Sequence, residues 1–155
     1  MDKLSIVGNG GHASVCSEVA QACGVTEEYF VAVGDNGARK KEVEALGDVL
    51  FATLIHPHAY VSPSARVGEG TVIMPGAVVQ AHAVIGKHCI LNTGCTLDHD
   101  SVLDDFVHLA PGSHLCGDVT VGEGALIGVG VGIEPGVNIP AWSIVKRTPY
   151  NAVLR

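Results

Sequence analysis

The chain has 155 residues, 47% of them hydrophobic, with 20 Gly and a formal net charge of -7. Nine Lys and Arg in an acidic chain argue against nucleic-acid binding, and no apolar run approaches the roughly 18 residues of a membrane-spanning helix, so no membrane insertion is expected. The opening MDKLSIVGNGG has no long apolar core behind basic residues, which predicts no secretory signal, and five cysteines without metal-type spacing fit a reducing, cytoplasmic setting.

Leu4 to Val7 is a short apolar run with the length of a buried strand, followed directly by Gly8-Asn9-Gly10-Gly11-His12. Val15, Val19 and Ala22 give helical spacing between Ala13 and Cys23. Phe30 to Val33 predicts a second strand, ended by Gly34-Asp35-Asn36-Gly37; Ala38 to Leu46 predicts a helix and Val49 to Thr53 a third strand. Strands alternating with helices point to a small parallel sheet. A glycine-rich turn between strand and helix lets a phosphate approach the backbone, and the helix N-terminus favours an anion. The same turn also serves as an ordinary tight connection. Because both turns fall on one edge of a parallel sheet, Gly8, Gly10, Gly11, His12, Gly34 and Asn36 outline a crevice for a nucleotide.

From Ile55 the periodicity changes. Every sixth residue through Val145 is Ile, Val or Leu, sixteen in phase. A period of six fits neither a helix nor a half-buried strand, but it fits a chain wound into a prism with one aliphatic side chain turned inward per flat face. Four residues after each stands a small residue or Val, from Ala59 to Ser143, with Pro149 the exception. Three faces per coil return the chain to the same corner after eighteen residues, giving about five coils stacked at roughly 4.8 Å. The expected organisation is an α/β lobe over 1–53, a solenoid over 54–148 and a tail over 149–155. The lobe would cover one end of the solenoid and the segment from Trp142 to Arg155 the other. Val78, Val84, Ile90 and Val102 at outward or corner positions predict an apolar interface.

The coil spacing turns sequence positions into neighbours. His99 is the third residue of its hexad, where side chains face outward, between Asp98 and Asp100. A carboxylate on an imidazole fixes the tautomer and raises basicity, as a general base requires. Gly117 follows one coil later, where an amide without a side chain in front of it can donate to a developing oxyanion. Base and oxyanion donor on adjacent coils make an acyl-transfer site with direct attack; an exposed Asp-His-Asp also fits a merely solvated face. His56, His58, His82, His88 and His114 are expected at the surface or an interface. No metal site is expected: the ligand pair five residues apart of the gamma carbonic anhydrase solenoids is absent, although His82 and Asp100 stack at plus eighteen.

Over its whole length the sequence resembles the bacterial nucleotide-sugar acetyltransferases of the sialic acid O-acetyltransferase and bacillosamine N-acetyltransferase families. The words that carry the resemblance are Ile6-Val7-Gly8-Asn9-Gly10-Gly11-His12, Val33-Gly34-Asp35-Asn36 with Arg39, Leu54-Ile55-His56-Pro57, Asn92-Thr93-Gly94, Asp98-His99-Asp100 and His108-Leu109-Ala110-Pro111-Gly112. The resemblance implies a left-handed parallel β-helix behind a small Rossmann-like α/β lobe, a homotrimer, acetyl-CoA as donor and a nucleotide-linked amino sugar as acceptor. It implies that His99 is the general base, Asp100 its partner, and His108 a residue near the acetyl thioester. It also implies that the Gly117 amide faces the thioester carbonyl and that the N-terminal glycine turn holds the nucleotide diphosphate. An O-acetyltransferase and a trimeric structural or binding protein without catalysis are the other readings; the sequence does not separate amine from hydroxyl acceptors. Two departures from the family pattern stand out. The strand the family has after the first helix is missing between Gly24 and Tyr29, and the family's Gly-x-Pro-Ala end has no counterpart after Ile139-Pro140-Ala141-Trp142-Ser143.

Overall fold

A computed structural model describes residues 4–24 and 29–146. Among them the hexads build sixteen two-residue strands, from β3 (Leu54–Ile55) to β18 (Ile144–Val145). Each strand pairs in parallel with the one three positions later, giving three sheets of six, five and five strands that form the faces of a prism. The register is eighteen residues throughout: Thr96 and Leu97 of β10 (Thr96–Leu97) pair with His114 and Leu115 of β13 (His114–Leu115). The chain is therefore mainly a parallel β-solenoid of about five coils.

The two phased rows explain why the prism closes. Ile73, Val79, Ile85, Leu91, Leu97, Leu103, Leu109, Leu115, Val121, Ile127, Ile133 and Ile139 all lie in one buried core. The row opens at its ends, where Ile55 is 37% exposed and Val61, Val67 and Val145 are half-buried. The expectation of a wholly buried row thus holds for the interior coils; each terminal coil lacks a neighbour on one side. The second row carries more than small volume. Ser101 Oγ donates to the Cys116 carbonyl and accepts from Val119 N–H. Thr71 Oγ likewise donates to Gly86 O and accepts from Cys89 N–H. These buried hydroxyls satisfy backbone groups between coils that would otherwise lose a hydrogen bond, a cost of about 1–3 kcal/mol each.

At the corners several residues take positive φ, including His82, His88, Asp100, Phe106, Asp118 and Trp142. A left-handed residue turns the chain within so few positions, at a cost of about 1–2 kcal/mol for a non-glycine side chain. Inter-coil bonds hold them there, such as Asp100 N–H to Ala81 O at 3.0 Å.

The N-terminal lobe comprises β1 (Ser5–Val7), α1 (Gly11–Cys23), β2 (Tyr29–Val31) and α2 (Asn36–Leu46). β1 and β2 pair in parallel. The expected third strand, Val49 to Thr53, is reduced to a single bridge between Phe51 and Tyr29. The expected helix starts also move earlier: α1 begins at the glycine turn with Gly10 as its N-cap, and α2 at Asn36, where Asp35 accepts from Ala38 N–H at 2.7 Å. Gly24 in left-handed conformation ends α1, as its freedom at positive φ allows. The lobe packs Ala13, Cys16, Val19, Ala20 and Phe30 against Leu54, Val72, Met74 and Ile90 of the solenoid. This corrects one expectation. Ile90 is 1% exposed beneath the lobe and cannot serve an interface between chains, whereas Val84 remains open. The tail 149–155 lies outside the described residues.

Leu97 sits in the middle of the inward row with no exposed surface. Leu97→Asp would bury an unpaired carboxylate at a cost of several kcal/mol, so the variant is expected to lose its cooperative thermal transition. Circular dichroism melting checks this; a folded variant with a normal midpoint contradicts the inward assignment.

Candidate active site

His99 and Asp100 form the corner that follows β10. Asp100, at φ 59°, turns its carboxylate back onto its neighbour, and His99 Nδ1 lies 2.9 Å from Asp100 Oδ2. One coil on, Gly117 lies beneath the imidazole. A Cβ there would come within 2.6 Å of His99 Cε1 and 2.7 Å of Nε2. The missing side chain is what lets the ring lie on the backbone. The Gly117 amide makes no backbone hydrogen bond among the described residues. The His99 side chain is 60% exposed. Its pKa is raised above the ordinary histidine value, first by the hydrogen bond to Asp100 and then by the charges of Asp100, Asp118 and Asp98. The predicted trio of His99, Asp100 and Gly117 is therefore one cluster, with Nδ1 bonded to the carboxylate and Nε2 free for a proton.

His108 stands elsewhere. It lies on β12 (His108–Leu109), in the outward column Leu54, Val72, Ile90, His108, Leu126, Ile144, just beyond the part the lobe covers. This sheet is a different face of the prism from the one holding β10 and β13. One chain therefore does not bring His99 and His108 together. A second residue that sequence reasoning gave no role, Asn92, reaches His108. Asn92 Oδ1 accepts from Thr93 N–H at 2.8 Å, which turns its Nδ2 toward His108 Nε2 at 3.2 Å. Burial, with help from Arg39 and His12, pushes the His108 pKa down to about 4.

His108 borders a cavity of about 250 Å³ between lobe and solenoid, lined also by Gly34, Asn36, Gly124, Trp142 and Ile144. The predicted turn residues divide by environment. Gly8 has a packing reason: at φ 132° a Cβ would meet the Ala32 carbonyl at 2.7 Å. Gly10, Gly11 and Gly34 face open space, so their backbone is accessible. His12 contacts Cys16 Sγ at 3.5 Å, and burial followed by the Arg39 charge lowers its pKa. The Asn36 amide is engaged at both ends, donating to Gly124 O and Ala125 O and accepting from Arg39.

The other histidines depart from expectation in one case. His56 is half-buried and His58, His82 and His114 are exposed, as expected. His88 instead is 4% exposed, between Phe51 at 4.7 Å edge-on and Phe106 stacked at 5.2 Å. Its coil neighbours Gly70 and Phe106 explain this, since Gly70 leaves the space that the ring fills. That signal was available at plus eighteen. Among the described residues no group of His, Cys, Asp and Glu is arranged to hold a metal. Burial pushes the thiols of Cys16, Cys89 and Cys95 up to about 12, so none is a ready nucleophile. In a pH titration followed by NMR, His99 is expected to protonate above the ordinary histidine midpoint and His108 to stay neutral from pH 5 to 9, by about one pH unit or more at the lower limit. A His108 midpoint near 6.5 contradicts its burial.

The model of the bacterial transferase hexapeptide family (six repeats) matches residues 64–99. The acetyltransferase domain of PglB from Neisseria gonorrhoeae FA1090 is 33% identical over 97% of this chain and 94% of that one, with a TM-score of 0.85. It has also been solved in complex with acetyl coenzyme A. PerB from Caulobacter crescentus, in complex with CoA and GDP-perosamine, is 36% identical over 95% of this chain and 90% of its own, with a TM-score of 0.87. WeeI from Acinetobacter baumannii AYE, 18% identical with a TM-score of 0.71 over 94% of this chain and 97% of its own, shares the fold. Identity at this level over nearly the full length of both chains, with the shared solenoid, makes the chain an acyltransferase that belongs to the bacterial hexapeptide-repeat nucleotide-sugar acetyltransferases.

Proposed function

We propose that the protein transfers an acetyl group from acetyl-CoA to the amino group of a nucleotide-linked sugar, with His99 as general base. The observation that carries this reading is the His99 ring, bonded to Asp100 through Nδ1 and laid on the bare Gly117 backbone. PerB's complex with CoA and GDP-perosamine supports the donor and the acceptor class. The acceptor nitrogen attacks the thioester carbonyl, so a C–N bond forms as the C–S bond breaks. His99 Nε2 takes the amine proton and returns it to the departing thiolate. Asp100 holds the imidazole in the tautomer that leaves Nε2 unprotonated. The Gly117 N–H donates to the oxygen as negative charge develops there. His108, neutral and held by Asn92, offers an uncharged surface for the thioester. The open backbone at Gly10, Gly11 and Gly34, with Gly8, His12 and Asn36, forms the nucleotide-sugar side.

In this reading the solenoid is left-handed. Residues 1–53 are a reduced Rossmann-like nucleotide-sugar lobe, 54–148 the acyltransferase domain, and the protein is cytoplasmic. The working unit is a homotrimer. His99 stands at the corner between β10 and β11, and His108 on the third face of the prism, so they serve one thioester only if the corner of one copy meets the face of the next. Light scattering is expected to give three chain masses at micromolar concentration, and a monomer would break this arrangement.

Three variants test the chemistry, with CoA release measured across amino and non-amino nucleotide sugars. His99→Ala is expected to lower turnover by about 10²–10⁴-fold, with the melting temperature nearly unchanged because the ring is exposed. Near-normal turnover would place the base elsewhere. Gly117→Ala drives a methyl into the imidazole and is expected to cost about 10²-fold, the usual scale for misplacing a catalytic group by an ångström. In Asp100→Asn the base remains but loses its orienting charge, so the loss should be smaller than in His99→Ala. The sign of its pH effect follows from the raised His99 pKa: a base must be deprotonated, so the rate rises with pH through that pKa. Removing the carboxylate lowers the pKa and moves the rising limb to lower pH. A limb that stays in place would separate Asp100 from the base.

A further inference from the structure

His88 belongs to the solenoid, yet its ring is part of the joint with the lobe. It is 4% exposed, edge-on to Phe51 at 4.7 Å and stacked with Phe106 of the next coil at 5.2 Å. Phe51 is lobe, through its bridge to Tyr29. Arg39 of α2, 1% exposed, grips the same two corners with a planar fork. Nε donates to His88 O at 2.9 Å, Nη2 to Phe106 O at 2.8 Å, and Nη1 to Val33 O in the lobe at 3.0 Å. His88 Nδ1 is buried without a hydrogen-bond partner among the described residues, and it faces Gly70, where an added Cβ would collide with it. A bare lone pair can rest against a glycine, but an N–H in that place has no acceptor. The charged groups around the ring are engaged elsewhere. Glu69 Oε1 accepts from Lys87 Nζ, and Asp105 Oδ1 from the Lys87 amide, each at 2.7 Å. The lobe contributes two cations, Arg39 and Lys40; Lys40 lies over Phe106 at 5.7 Å and pairs with Glu123. Burial is the largest influence on the ring and lowers its pKa; Glu69 and Asp105 oppose this, and Arg39 and Lys87 add to it.

We infer that His88 is a pH-sensitive latch between lobe and solenoid: its neutral ring fills the joint, and its protonation loosens the lobe. In the docked state the neutral ring keeps its proton on Nε2 and its lone pair toward Gly70. A second proton would create the buried Nδ1–H that lacks an acceptor, beside the Arg39 cation. When the lobe lifts, Phe51 and Arg39 leave, and water accepts from Nδ1. The loosened form therefore binds the proton better. Docking keeps its full strength above the ordinary histidine midpoint of about 6.5 and weakens by up to about tenfold per pH unit below it, the linkage of one proton. The solenoid persists, because its inward aliphatic row does not include this ring. The lobe carries the turns at Gly8–His12 and Gly34–Gly37, so acid weakens the nucleotide-sugar side while the corner at His99 stays folded. That last consequence rests on the proposed function; the latch itself does not.

Activity cannot test this, since the rate already falls as His99 protonates. The test is amide hydrogen exchange of the full chain without substrate, with each rate expressed as protection relative to the unfolded rate at that pH. His88→Phe keeps a ring over Gly70 and removes the titration. Protection of lobe amides such as Val19 and Phe30 is expected to fall in the native protein, relative to His88→Phe, by about tenfold per pH unit from roughly pH 6.5 to 5. Protection at Leu97 and Leu109 is expected to follow the same course in both. Lobe profiles that coincide in native and variant overturn the inference. If His88→Phe does not fold, 15N-histidine spectra of the native protein decide. His88 is expected as the neutral Nε2–H form at pH 7, gaining its second proton only as lobe protection falls. A His88 found as Nδ1–H, or one that protonates near pH 6.5 with lobe protection unchanged, overturns the latch. Failure to find acetyl transfer to any nucleotide sugar bears on the proposed function alone, because neither readout uses a substrate.

Discussion

Parallel pairing of each hexad with the hexad eighteen residues later is the constraint on which the rest of the molecule depends. It sets the aliphatic row inward and lets each interior two-residue strand, too short to persist alone, share its hydrogen bonds with the coils above and below. The same pairing makes left-handed corner residues tolerable. Asp100 gives up about 1–2 kcal/mol of backbone preference, but its amide is bonded to Ala81 O, and the Asp118 amide is bonded to His99 O. The strain at that corner has a direct chemical product, because φ 59° is what swings the Asp100 carboxylate onto the adjacent imidazole.

Environment then separates two histidines that look alike in sequence. His99 stands in solvent among Asp98, Asp100 and Asp118, and its affinity for a proton rises. His108 is half-buried, and desolvation, followed by the charges of Arg39 and His12, lowers its pKa to about 4. In the proposed chemistry these opposite shifts suit opposite tasks, one group taking a proton and the other held neutral. His99 stands at a corner and His108 on the face that does not adjoin it, which ties the proposed chemistry to contact between chains.

The lobe is fastened to the solenoid by both apolar and polar means. Leu54, Val72 and Ile90, which would otherwise form an exposed greasy column, are covered by α1 and Phe30. Beyond them the attachment becomes polar, through Arg39 and Asn36, and a cavity opens where His108, Trp142 and Ile144 continue the exposed surface. Lys40 adds a further tie, paired with Glu123 and lying over the rings of Phe106 and Trp142 at 5.7 and 5.6 Å. This ion pair is solvent-accessible and contributes little by itself; burial of the apolar column is the larger effect.

The hexad row alone determined the prism, the eighteen-residue register and the juxtaposition of His99 with Gly117, because a fixed period converts sequence distance into spatial distance without reference to any other part of the chain. Asp100 beside His99 was legible for the same reason. Where no period operates, tertiary structure decided. The segment from Val49 to Thr53 has strand composition, yet only Phe51 reaches a partner. Ile90 reads as an outward residue but is buried, since the docking of the lobe depends on contacts between segments distant in sequence. The pairing of Asn92 with His108, sixteen residues apart, falls outside the eighteen-residue rule; it comes from a corner side chain reaching across to a strand one coil on. The Arg39 fork depends on the directions of four backbone carbonyls, at Val33, Gly34, His88 and Phe106, together with the Asn36 side chain, which no sequence pattern encodes.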